Sequence, residues 1–137
     1  TRRSSDLLES FGNNVCVISK ENKVKYHASA AIASNLVVGL ISLSEQLLLE
    51  CGFDKDSADT ALAPIIRGNV EHCLNDGCSA ALTGPIERND TTTVLKHLKT
   101  LSGNSKEIYK AVSRQVLDVA KNKNKDRDYS EMEDILK

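Results

Sequence analysis

From position 26 through position 44 there is no Asp, Glu, Lys or Arg, and Ala, Leu, Val and Ile fill most of the run. A stretch this long and uncharged must either cross a membrane or be shielded by protein. Asn35 lies in its middle, Ser29, Ser34 and Ser42 interrupt it, and much of the remainder is Ala, which contributes little transfer energy. These features favour the protein-shielded case: one long helix over residues 25–51, stopped by Gly52, at the centre of a helical bundle or in a subunit interface. Small residues at Ala28, Ala31, Ala33, Ser34 and Gly39 would let neighbouring helices approach closely.

The flanking segments carry shorter helical patterns. Residues 4–11 have Leu7, Leu8 and Phe11 at helical spacing and Gly12 where a helix would stop. Val15-Cys16-Val17-Ile18 is a β-branched run that predicts a lone strand, whose partners would have to come from elsewhere, most simply from upstream sequence. Asp56-Ser57 opens a helix closed by Asn75-Asp76-Gly77, with Pro64 in its interior where a kink or break is expected. Residues 78–82 predict one helical turn before the non-helical Thr83-Gly84-Pro85-Ile86 loop. Asp90 caps a helix over residues 91–101 with Val94, Leu95, Leu98 and Leu101 on one face. A last main helix, from Gly103-Asn104-Ser105, repeats Ile108, Ala111, Val112, Val116 and Val119 at intervals of three and four. Residues 121–128 hold no apolar side chain and predict a solvated tail, with a weak final turn over residues 130–136. The expected class is therefore all-α, a helical bundle around one long apolar helix.

Charge and composition exclude several functions. In the 137 residues, 18 Lys and Arg oppose 19 Asp and Glu, so the net charge of −1 offers no electrostatic basis for a nucleic-acid or anionic-membrane binder. Aromatic residues are 4% with no Trp, too few for base-stacking platforms. No secretory signal is visible in the first ten residues, the chain is expected to begin inside a longer protein, and the four cysteines read as reduced thiols of a cytoplasmic protein. His72, Cys73 and Cys78 lack the ligand number and spacing of structural zinc. None of the seven glycines forms Gly-x-Gly, so neither a dinucleotide fingerprint nor a phosphate loop is present, and any nucleotide pocket must be shared with another domain.

Two constellations remain. At 100° per residue, His27, Ala31, Ser34 and Asn35 fall on one side of the long helix. An imidazole, a hydroxyl and a carboxamide there either face a cleft, where the ring passes a proton and the amide holds a substrate oxygen, or satisfy neighbouring backbone groups within a bundle. The second lies between helices: Gly84 permits close backbone approach, Pro85 stiffens the loop, and Arg88 offers a planar fork for carboxylate or phosphate, while Asp90 is spent as a cap. Its bland alternative is an inter-helix turn with Arg88 solvated. His72 and His97 read as surface histidines.

Tyr26-His27-Ala28-Ser29-Ala30 with Ala33-Ser34-Asn35, Leu62-Ala63-Pro64, and above all Ala81-Leu82-Thr83-Gly84-Pro85-Ile86-x-Arg88-x-Asp90, followed by Thr93-Val94 and His97-Leu98, carry a family resemblance. Over residues 26–120 the chain resembles the helical C-terminal domain of Rossmann-like predicted NADP-dependent oxidoreductases, a domain of unknown function. That family is similar to ketopantoate reductase, pyrroline-carboxylate reductase and the 6-phosphogluconate dehydrogenase type, in which a Rossmann domain holds the cofactor and a helical domain supplies substrate groups and usually the dimer interface.

The resemblance implies a division into residues 1–24, the end of an upstream Rossmann domain that includes the orphan strand; residues 25–121, a substrate-binding and dimerisation domain; and residues 122–137, a polar tail. It implies a homodimer, a small carbonyl or imine substrate, and NADP in the full-length protein but no cofactor bound by this part alone. It places His27, Ser34 and Asn35 beside the interdomain cleft and Thr83, Gly84, Pro85 and Arg88 on a loop that closes it. Two departures stand out. Relatives carry a catalytic Lys followed one turn later by Asn on the corresponding helix, whereas no Lys follows Lys25 until Lys55, which leaves His27 as the proton donor. Asn89 stands where the family commonly has Gly. The competing classes are a non-catalytic dimerisation or ligand-sensing module and a plain structural bundle.

Overall fold

Ser19, in extended backbone, precedes a helix that runs without a break through the whole uncharged stretch, from Lys20 to Glu50 (α1). The computed structural model describes Ser10, Gly12 and residues 15–137. The expected helix over residues 4–11 therefore lies outside the described residues, apart from Ser10, which is helical. Helices make up 77% of the structure and no strand occurs among the described residues, so the fold is all-α as its periodicity predicts. The predicted strand at residues 15–18 does not form: its backbone is irregular and Val17 and Ile18 are exposed. One β-branched run without a second cannot satisfy its N–H and C=O groups in a ladder.

The chain divides into two compact units, residues 1–42 and residues 43–137. In the first, α1 begins with a 3₁₀ turn, Lys20–Asn22, and carries a π-helical turn at Ile32–Leu36. No residue of α1 is buried: Tyr26, Ile32, Leu36 and Val38 are each more than half exposed. By length and composition α1 could cross a membrane, and Tyr26, Ile32, Leu36 and Val38 leave much of its apolar surface exposed.

In the second unit α1 ends as predicted at Gly52, where φ is +92°. The Gly52 N–H reaches the Leu49 carbonyl at 2.9 Å and the Phe53 N–H the Leu48 carbonyl at 3.1 Å, the paired bonds of a glycine-terminated helix. Helix α2, Lys55–Asp76, starts on Asp54, whose carboxylate accepts the Ser57 N–H at 2.8 Å. It does not break at Pro64. The carbonyl that the proline ring deprives of its partner belongs to Thr60, an exposed residue, so water can satisfy it. A single turn, α3 (Cys78–Ala81), leads to the Thr-Gly-Pro loop, and then come α4 (Thr91–Thr100), α5 (Gly103–Lys123) and α6 (Ser130–Leu136).

The core lies among α4, α5, α6 and the loop: Ile86, Val94, Leu98, Leu117, Ala120, Tyr129, Met132 and Leu136 form one cluster. Two expectations shift here. On α5 the inward face is Ser113, Leu117 and Ala120, with Tyr109 and Val116 at its edge, while Ala111 and Val112 point outward. A hydroxyl as small as that of Ser113 fits between close helices, which apolar periodicity alone does not register. Residues 121–128 are mostly exposed, whereas the final turn, expected to be weak, is helix α6 and joins the core: Met132 and Leu136 are fully buried and Tyr129 before it is 3% exposed. Their spacing of three and four is a helical stripe that the charged residues before it obscure.

Candidate functional site

The sequence candidates fall into two groups, one in each unit. On α1, His27 lies in regular α-helix, whereas Ser34 and Asn35 lie within the π turn, and all three are exposed. A π turn holds one more residue than an α turn, so positions beyond it lag the 100° rule that placed these side chains on one stripe. Such turns are frequent at functional sites. The Ser34 hydroxyl donates to the Ala30 carbonyl at 2.7 Å, leaving its oxygen free only to accept. Neither the His27 ring nor the Asn35 carboxamide hydrogen-bonds to another described residue. They are not sealed among the leucines.

In the second unit, Thr83, Gly84, Pro85 and Arg88 share one tight turn. Gly84 has φ of +102°, a region that a side chain would strain. The Arg88 N–H donates to the Gly84 carbonyl at 3.1 Å and the Asp90 N–H to the Pro85 carbonyl at 2.7 Å, closing the loop on itself. Ile86 is buried in the core, and Thr83 and Arg88 are exposed with no side-chain hydrogen bond to another described residue. Asp90 caps α4 as predicted, accepting the Thr93 N–H at 3.0 Å and the Thr93 hydroxyl at 2.7 Å.

Residues 1–116 match a family model described as "Domain of unknown function (DUF2520)". The chain belongs to this family. No curated protein and no solved structure matches it. The DUF2520 span thus covers both candidate groups and ends within α5, so Tyr129 and α6 lie beyond it although they complete the core.

Those outlying residues also hold the DUF2520 loop, which sequence reasoning missed. The Tyr129 hydroxyl and Arg127 Nη1 both donate to the Glu87 carbonyl. Asn124 Nδ2 donates to the Glu87 carboxylate at 3.0 Å and to the Tyr129 hydroxyl at 3.1 Å. Lys123 Nζ donates to the Leu82 carbonyl at 2.8 Å. Asn89 has φ of +59°, the left-handed region that glycine and asparagine tolerate, and its Nδ2 donates to the Asp128 carbonyl at 2.9 Å, an anchor glycine could not supply.

Elsewhere, a cavity of about 540 Å³ is lined by Leu47, Glu50, Cys51, His97, Leu101 and Tyr109 among others, and by none of the sequence candidates. His97 Nδ1 lies 2.9 Å from the Tyr109 hydroxyl with the rings edge to face, so this histidine has a structural partner. His72 pairs with Asp76 at 3.4 Å on the exposed surface of α2. Burial and the neighbouring Cys78 thiol raise the pKa of Cys73, the opposite of an activated nucleophile.

Three carboxylates at helix starts should make the unit acid-sensitive. The Asp54 carboxyl is lowered by the Ser57 N–H and hydroxyl, that of Asp90 by the Thr93 hydroxyl and N–H, and that of Asp128 by the Ser130 N–H and hydroxyl. A depressed folded value means stability that is full above the ordinary 3.8 and is lost as pH falls through the folded values. Denaturation midpoints measured from pH 5 to pH 2 should fall below about pH 4. Asp90→Asn, which caps without titrating, should reduce that slope and leave neutral-pH stability close to wild type.

Proposed function

We propose that this chain is the substrate-binding and dimerisation half of a two-domain, cytoplasmic NADP-dependent oxidoreductase that transfers hydride to a small carbonyl or imine. The cofactor is assigned to an upstream Rossmann domain, because the glycines here include no Gly-x-Gly and build no pyrophosphate cradle. The observation that carries the reading is the open His27 and Asn35 on a helix that carries a π turn, a place where an otherwise apolar rod has no packing need for either group.

In this reading His27 gives a proton to the substrate oxygen or nitrogen as the attached carbon is reduced. The Asn35 amide holds that heteroatom, and Ser34, its proton committed to Ala30, accepts from a substrate hydroxyl or N–H. Arg88 is assigned a separate role in the second unit: its guanidinium would hold an anionic group at the loop that also carries Thr83, Gly84 and Pro85. The resemblance of the residue 26–35 and 81–90 motifs to the helical domains of Rossmann-like oxidoreductases supports this division of labour. A second copy of the chain covers α1, whose exposed Ile32, Leu36 and Val38 call for an apolar partner. A non-catalytic dimerisation or ligand-sensing module is favoured by one observation, the absence of lysine from α1 after Lys25.

The test is a screen of 2-keto acids and cyclic imines for oxidation of the reduced cofactor, using the protein with its cofactor domain. Turnover with one class supports the enzyme reading. Cofactor binding without turnover on any compound supports the sensing module.

A further inference from the structure

Five side-chain hydrogen bonds join residues 82–89 to residues 123–129, and they grip the loop unevenly. Leu82, Glu87 and Asn89 are held by Lys123, Asn124, Arg127, Asp128 and Tyr129, and Ile86 is anchored in the core. The positions between the grips are Thr83, Gly84, Pro85 and Arg88, of which Thr83 and Arg88 are exposed and make no side-chain hydrogen bond to another described residue. Two donors converge on the Glu87 carbonyl, the group immediately before Arg88, and one of them, Tyr129, is itself fixed by Asn124 and by burial. Lys123 and Arg127 also stand 3.9 and 3.8 Å from the Glu87 carboxylate, so the strap and the loop attract by charge as well.

We propose that residues 123–129, which lie outside the DUF2520 span, are a positioning strap that fixes the loop backbone from which the exposed Thr83 and Arg88 side chains extend, so that an anionic ligand group meets them on a rigid turn. Tyr129 and Arg127 are its positioning residues. A guanidinium on a rigid turn loses less freedom on binding a carboxylate than one on a mobile loop, so the strap favours recognition without touching the ligand. Only the carboxylate as ligand rests on the oxidoreductase reading; the strap itself does not.

Amide hydrogen exchange of the chain tests this. The reporters are the Arg88, Asn89 and Asp90 N–H groups, which bond to carbonyls within the loop. Tyr129→Phe keeps the ring and should speed their exchange about tenfold, the factor that one lost hydrogen bond supplies. Arg127→Gln, on an exposed side chain outside the core, should do the same, Arg127→Lys should restore most of the protection, and the double change should approach a hundredfold. Protection of Leu98 in α4 and Leu117 in α5 should not move. Unchanged loop exchange in Arg127→Gln and in the double variant would overturn the strap, whether or not the protein transfers hydride. A rise shared equally by α4 and α5 would overturn it too, because Tyr129 and Arg127 would then be ordinary stabilising residues.

Discussion

Leu36→Asp combined with Val38→Asp should convert the proposed homodimer of the 15.0 kDa chain into a monomer. Both side chains are more than half exposed on α1, in a helix of 31 residues with no buried position. Water does not tolerate so many large apolar groups in one continuous rod without cost, and burying each fully stabilises an association by about 1.5–3 kcal/mol. An aspartate in their place brings an unpaired charge into the interface, so the pair of changes should weaken self-association at least about a thousandfold, or about 4 kcal/mol. Sedimentation equilibrium at micromolar concentration measures both states. A monomeric wild-type chain, or one that partitions into phosphatidylcholine vesicles in preference to self-associating, contradicts the assignment of a second copy to α1.

Met132→Ala should destabilise the second unit by about 2–5 kcal/mol, the range for removing a buried methionine or leucine from a core that cannot collapse around the cavity. Met132 is fully buried, as are Leu136 and Val94, and all belong to one cluster with Tyr129. A unit of this size has only about 5–15 kcal/mol of stability in total, so the loss is a large part of it. Urea denaturation followed by circular dichroism gives the value. A change below about 1 kcal/mol would mean that α6 is peripheral, the solvated tail that composition alone suggests.

The helices were legible because their signals are local. Gly52 stops α1, Asp90 caps α4, and the apolar spacing of Val94 and Leu98 places both in the core. What sequence did not disclose depends on residues far apart in the chain. The inward role of Ser113 is decided by how closely α5 is packed, and Tyr129 becomes a core residue only because Ile86 and Glu87 of a distant loop meet it. The π turn at Ile32–Leu36 left no sequence mark, yet it changes the stripe on which His27, Ser34 and Asn35 were placed. Of the candidate site, exposure of the polar groups on α1 was one of two alternatives that the sequence left open, and the tight turn at Gly84 was expected; the grip on Glu87 from beyond the family's span was not.

The most direct measurement is the rate of reduced-cofactor oxidation by the protein with its cofactor domain, wild type against His27→Ala, with the oligomeric state checked for both. Loss of the general acid should lower turnover about a hundredfold or more while the dimer and the cofactor affinity persist. Wild-type turnover in His27→Ala would remove the imidazole from the chemistry and contradict the account of α1 as a catalytic helix.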